Sequence, residues 1–257
     1  MNNILTAKNV KIYYQAKNGE VEAVRDVSFN LKEGEFVSIV GPSGCGKSTL
    51  LSAVSGITPI SSGSILLAGK EVSGVSDDCA YMLQKDNLLD WRSIRKNVVI
   101  GLEIRGMLTR ENLSYADNLL KSYGLWEFRD KYPAQLSGGM RQRAALIRTL
   151  AVRPKLLLLD EAFSALDFQT RLTVTDDVYK ILKKEKQTAL IVTHDIPECI
   201  SMSDRVIVLS KRPAVIKKIY TTDFDMENRT PLLCRDHKKF GEYFNQIWKE
   251  LDVYVSE

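Results

Sequence analysis

Three glycines, a lysine and three hydroxyl side chains are gathered in GPSGCGKST at 41–49. The chemistry open to such a run is the holding of a polyphosphate. A triphosphate carries several negative charges, and only backbone free of obstructing side chains can wrap its N–H groups around them. Gly41, Gly44 and Gly46 leave that room, and Pro42, Ser43 and Cys45 complete the loop. Lys47 can reach the β- and γ-phosphates as a mobile point charge, while Ser48 offers its hydroxyl to Mg²⁺ and Thr49 helps bind the phosphates. A helix opening at Lys47 would aim its positive end at the same anion.

A second cluster, LLLLDE at 156–161, puts two carboxylates behind an apolar run. A strand ending in Asp160 would deliver that carboxylate to the sheet edge where α/β proteins bind their ligands, as a holder of Mg²⁺ directly or through water. Glu161, next in line, is placed to orient and polarise an attacking water. An acidic pair at a strand end is ordinarily only a solvated surface feature. Its partnership with the glycine loop is what gives it a chemical reading, and the two motifs together fit many NTPases, kinases and GTPases among them.

The elements that must position these residues are legible from pattern. EFVSIV (35–40) is a β-rich run ending at Gly41, and a periodic apolar stretch follows from Lys47, which reads as strand, glycine loop, helix. Strand-like runs precede it at 10–15 and 22–31 and follow it at 62–70 and 79–84. From about Asp90 to Lys155 the spacing turns helical, with IRKNVVIGLEIRGM, ENLSYADNLLKSYGL and GGMRQRAALIRTLAV each predicted as one helix. Strands return at 156–160, 188–193, 205–210 and 214–220, and the continuous apolar character of 156–159 and 189–192 fits parallel strands covered on both faces. After the polar TTDFDMENRT, a final helix carries Phe240, Tyr243, Phe244, Ile247, Trp248 and Leu251 on one stripe, to pack on the chain's own core or to meet a partner.

Composition narrows the function classes. A net charge of +4 from 36 basic and 32 acidic residues is too small to imply nucleic acid, and there is no basic stripe with interleaved aromatics. Cys45, Cys79, Cys199 and Cys234 are widely separated, and with two histidines in the chain no zinc-ligand spacing arises, so free thiols are expected. The polar opening MNNILTAKNV has no secretory pattern, and no apolar run approaches the ~20 residues a membrane span needs.

LSGGMRQR at 136–143 decides among the NTPases. It resembles the signature sequence of the ABC (ATP-binding cassette) ATPases, and the likeness extends over nearly the whole chain with the motifs in that family's order. The resemblance implies an α/β fold: a P-loop NTPase core with a parallel sheet (1–86 and 156–220), an N-terminal antiparallel β region, a helical insertion at 87–155 and a C-terminal extension at 221–257. It implies further that Tyr14, or its neighbour Tyr13, stacks on adenine, and that Gln84 reaches Mg²⁺ and the attacking water. Ser164, Ala165, Leu166 and Asp167 match the turn after the catalytic carboxylate, and His194 matches the switch histidine at the γ-phosphate. Ser137, Gly138 and Gly139 would cap the ATP held by a second copy, so that two cassettes pair head to tail around two ATP.

KDNLLDWRSIRKNVVIGLEIRG is similar to the importer branch for nitrate, sulfonate and taurine. Asp90 stands where that branch usually has proline before Trp91, and Ala162 stands where it often has proline after the glutamate. Membership there implies an ATPase subunit at the cytoplasmic face of a membrane, held by transmembrane permeases that a solute-binding protein serves from outside. Residues 85–100 would receive the permease, with Trp91 either an anchor or buried between lobes. The rival readings are an exporter's nucleotide-binding subunit and a soluble, non-transport ABC ATPase. One glycine loop, one LSGG and the lack of a long coiled coil between them argue against ribosome- and DNA-acting relatives.

Overall fold

In a computed structural model the structure describes residues 3–16 and 19–251. Residues 1, 2, 17, 18 and 252–257, the last six of which end the expected C-terminal extension, lie outside the described residues. Two sheets share the chain. Strands β1 (Asn3–Ala16), β2 (Gly19–Lys32), β4 (Ser62–Leu67) and β5 (Lys70–Glu71) form an antiparallel sheet in the order β2-β1-β4-β5. The other six are β3 (Phe36–Val40), β6 (Cys79–Met82), β7 (Leu156–Asp160), β8 (Ala189–Thr193), β9 (Arg205–Leu209) and β10 (Ile216–Thr221), in the order β10-β9-β3-β8-β7-β6. They run parallel except for β10, which returns antiparallel on β9.

Strand alternation explains the uninterrupted apolar runs. Leu156 and Leu158 of β7, with Leu190 and Val192 of β8, face a core that holds α1 (Lys47–Val54) and the antiparallel sheet. Leu157, Leu159, Ala189 and Ile191 face the opposite core, made with α5 (Gly138–Ala151) and α6 (Phe168–Lys184). Each of the four leucines is fully buried, a favourable contribution of roughly 1.5–3 kcal/mol apiece.

Between β6 and β7 lie α2 (Ile94–Val98), α3 (Ile100–Ile104), α4 (Arg110–Ser122) and α5. The single helix expected over IRKNVVIGLEIRGM breaks at Val99, whose ψ of 0 interrupts the α geometry. Asn97 gathers the preceding loop: its fully buried amide donates to the carbonyls of Leu89, Arg92 and Ser93 and accepts from the Leu89 N–H at 2.7 Å. Trp91 on that loop is 75% exposed, so it is not buried between lobes.

The last three helices described are α7 (Ile196–Met202), before β9, and α8 (Pro231–Arg235) and α9 (Lys238–Glu250), after β10. Ile247 of the amphipathic stripe is fully buried, and Phe240, Tyr243, Phe244 and Leu251 pack around it against α7 and β9. The polar stretch before α8 also contributes to this core through Phe224, which stacks edge-on with His237 and Tyr243. All four cysteines are free and buried. Among the described residues no helix is long and apolar enough to cross a membrane.

Two predictions follow from these buried polar groups. Asn97→Ala strands the donors and acceptors it served and should cost about 2–4 kcal/mol in a urea unfolding curve. Glu198 on α7 is 3% exposed, and burial, reinforced by the charge of Asp195, pushes its carboxyl from 4.5 up to about 8. Between those values the native carboxyl keeps a proton that the unfolded chain releases, so this group's contribution to stability falls as pH rises and then levels off. Glu198→Gln does not titrate, and its urea midpoint should gain on the wild type between pH 5 and pH 8.

Candidate functional site

The glycine loop leaves β3 at Val40 and enters α1 at Lys47. Gly44 has φ +71° and Gly46 φ +123°, conformations that side chains rarely adopt, and a Cβ on Gly46 would stand 2.9 Å from the Ala23 carbonyl oxygen. Lys47 is 6% exposed and folds back across the loop, its Nζ donating to the carbonyls of Gly41 at 2.8 Å and Pro42 at 3.0 Å. Cys45 is buried beside Gly41, and burial raises its thiol, partly opposed by the Lys47 charge. A cavity of about 240 Å³ opens here, lined by Gly44, Lys47, Ser48, Thr49, Glu161 and Arg212 among others.

Because β7 lies two strands from β3, its end reaches the loop. Ser48 Oγ donates to Asp160 Oδ1 at 3.0 Å, and the Tyr81 hydroxyl donates to Asp160 Oδ2 at 2.9 Å. Burial and the Asp160 charge both hold Tyr81 well above the ordinary tyrosine range, which keeps it a donor. Glu161 departs from strand geometry with φ +46°, while its N–H still donates to the Val192 carbonyl at 2.7 Å. Its carboxylate lies 3.3 Å from Nδ1 of His194, which follows the end of β8. The structure therefore brings Lys47, Ser48, Asp160, Glu161 and His194 together from three neighbouring strand ends.

The remaining expected residues fall around this centre. Tyr14 and Tyr13 point to opposite faces of β1, as successive strand residues do. The Tyr14 hydroxyl meets Thr49 Oγ1 at 3.3 Å, whereas that of Tyr13 donates to Glu22 at 3.0 Å. Gln84 lies two residues past β6, and its amide donates to Ser164 Oγ at 3.1 Å rather than reaching Asp160. Ser164 Oγ in turn donates to the Glu161 carbonyl at 2.9 Å. Asp167 caps α6, and hydrogen bonds from Thr170 hold its carboxyl below the usual aspartate range.

Ser137, Gly138 and Gly139 open α5 and do not line the cavity. Ser137 caps the helix by accepting from the Met140 N–H at 3.3 Å. A Cβ on Gly139 would meet Val174 Cγ2 at 3.0 Å, so the glycine lets α5 lie close on α6. Behind them Arg141 pairs with Asp86 at 3.0 Å, Arg148 donates to the carbonyls of Asp86 and Asn87, and buried Gln142 donates to the Ala162 carbonyl. The start of α5 is thus tied to the loop after Gln84 and to the turn after Glu161.

Three residues near the site escape sequence reasoning. Tyr81 is one. Arg212 donates from Nε at 3.2 Å and from its terminal nitrogen at 2.8 Å to the Gly44 carbonyl, 168 residues away. Arg171 joins the Leu166 carbonyl at 2.9 Å to Asp195 at 3.4 Å, linking the turn after Glu161 to the loop of His194. The position of Arg212 just past β9, at the ligand-binding edge of the sheet, was the one available signal.

The chain is similar to known proteins over most of its length. The family profile described as ABC transporter matches residues 24–164. An uncharacterised ABC transporter ATP-binding protein of Bacillus subtilis is 47% identical over 93% of this chain and 92% of its own. The taurine import ATP-binding protein of Roseobacter denitrificans is 37% identical over 95% of this chain and 94% of its own, and nitrate import ATP-binding proteins are also among the relatives. Among solved structures, the dimeric post-hydrolysis state of an ATP-binding cassette bound to ADP and Pi superimposes with a TM-score of 0.72 at 31% identity. It covers 85% of this chain and 99% of that one.

Proposed function

The chain belongs to the ABC transporter family and is one of its ATPases; from that premise we propose that it powers uptake of a small solute of the nitrate, sulfonate or taurine class. Two copies would close head to tail on two ATP beneath membrane permeases at the cytoplasmic face, with an extracytoplasmic binding protein supplying the solute. The observation that carries the catalytic part is the meeting of Ser48, Asp160, Glu161 and His194 over the Lys47 loop. The importer part is supported by relatives named for taurine and nitrate import.

The chain's groups divide the work as follows. Backbone N–H groups of 43–48 and the Lys47 ammonium hold the phosphates, Tyr14 offers its ring to adenine, and Thr49 supports it. Ser48 and Asp160 are hard oxygen donors of the kind Mg²⁺ selects, and among the described residues no group of three or more His, Cys, Asp or Glu side chains could hold a metal by itself. Such a site suits an ion that keeps waters and takes substrate phosphate oxygens. Bound there, Mg²⁺ would neutralise charge developing on the phosphates.

Glu161 orients the attacking water and accepts its proton, and His194, 3.3 Å from it, meets the γ-phosphate. Gln84, through Ser164, connects the occupied site to the helical segment 87–155. Ser137, Gly138 and Gly139, outside their own cavity, are left to cap the nucleotide of the second copy, with N–H groups and a hydroxyl at a positive helix end. Exposed Trp91 and Ile104 flank the surface offered to the permease.

Glu161→Gln keeps the shape and loses the base. With Mg-ATP it should hydrolyse at least about a hundredfold more slowly than the wild type. In light scattering it should accumulate as a dimer that the wild type forms only transiently. A monomeric, fully active variant would remove Glu161 from its role. Affinity capture from detergent-solubilised source membranes should recover a multi-span permease. Capture of ribosomal or DNA-associated proteins instead would leave the ATPase and remove the transport reading.

A further inference from the structure

Parallel pairing of β6 with β7 sets Tyr81 opposite Leu158. Leu158 and Asp160 are two apart on β7, so they share a face, and Tyr81 lies on that face of β6 with its ring packed against the α1-side core. From there its hydroxyl reaches past the strand end to Asp160 Oδ2 at 2.9 Å. The other oxygen, Oδ1, accepts from Ser48 at 3.0 Å. Both oxygens of the carboxylate are therefore held, each by a neutral donor, one on the glycine-loop helix and one on the adjacent strand.

This arrangement limits what Asp160 can do. A carboxylate free to rotate can turn both oxygens onto a cation, the bidentate grip that the larger Ca²⁺ favours. With Oδ2 committed to Tyr81 and Oδ1 to the Ser48 hydroxyl, Asp160 is steered towards accepting from Ser48, which frees the Ser48 lone pairs for a metal. The Tyr81 bond spans two strands and is half-buried, so water does not readily replace it.

We propose that Tyr81 is a positioning residue for the divalent cation of the nucleotide site, holding the Asp160 carboxylate in the one orientation that serves Ser48 and a small, hydrated ion. The inference rests on the reading of Ser48 and Asp160 as the Mg²⁺-holding pair. Outer-shell partners of this sort commonly govern metal affinity by ten- to hundredfold.

The test measures metal binding rather than turnover. Mn²⁺ is titrated into the full chain with saturating ADP and followed by electron paramagnetic resonance, for wild type, Tyr81→Phe and Asp160→Asn. ADP affinity without metal and the melting temperature without ligand serve as controls. Tyr81→Phe should weaken Mn²⁺ binding about tenfold and narrow the preference for Mg²⁺ over Ca²⁺ in competition, while metal-free ADP affinity stays at the wild-type value and melting falls by no more than the loss of one half-buried hydrogen bond explains. Asp160→Asn should lose most of the Mn²⁺ signal. If Asp160→Asn loses it and Tyr81→Phe does not, the positioning role is wrong and the metal pair stands. If Asp160→Asn binds Mn²⁺ as the wild type does, the metal pair is wrong and the role of Tyr81 falls with it. A Tyr81→Phe chain whose metal-free ADP affinity falls along with Mn²⁺ binding would make the tyrosine a merely structural residue and overturn the proposal.

Discussion

A polyanion can be wrapped by backbone only where the backbone is turned inward and no side chain stands between. That constraint governs this molecule. Gly46 at φ +123° presses against the Ala23 carbonyl of β2, so the glycine loop is seated on the antiparallel sheet as well as on its own strand. Arg212 approaches from the loop after β9 and takes the Gly44 carbonyl, and Lys47 takes those of Gly41 and Pro42. Three loop carbonyls that would repel phosphate are thus occupied by cations.

The loop can serve only if carboxylates of the right kind arrive beside it, and the sheet supplies them. Strands β3, β8 and β7 are buried on both faces, so their registers are fixed by two cores at once and their ends cannot drift. Asp160, Glu161 and His194 follow directly from those ends. The left-handed backbone at Glu161 marks where strand pairing gives way to the turn that carries Ser164 and Asp167. From that turn polar contacts run outward: Ser164 to Gln84, Arg171 to Asp195, and Gln142 of α5 to Ala162. A change at Glu161 therefore has defined neighbours in the helical segment and in the loop of His194.

The C-terminal segment joins the same body by apolar packing. Ile247 and Phe224 complete a core with Ile196, Ile200 and Val208, so the stripe of α9 is spent largely on the chain's own interior. Phe244 and Trp248 stack at its margin, near Pro42 and His194. The polar character of TTDFDMENRT concealed Phe224, since a single aromatic in a charged stretch has no periodicity to betray it.

Sequence alone was enough for the class of chemistry. GPSGCGKST and LLLLDE carry their meaning in local spacing, because glycine backbone freedom and a carboxylate ending an apolar strand are properties of consecutive residues, whereas LSGGMRQR was read through its resemblance to a family signature. The strand pattern was readable for the same reason, apart from the run at 62–70, which divides into β4 and β5, and the helical period was readable apart from its break at Val99. What consecutive residues cannot contain is juxtaposition. That Tyr14 rather than Tyr13 faces Thr49, that Trp91 stands exposed, and that Gln84 reaches Ser164 depended on which elements became neighbours. Tyr81 on Asp160 and Arg212 on Gly44 belong there too, since 79 and 168 residues separate the partners and only the packed sheet brings them within a hydrogen bond.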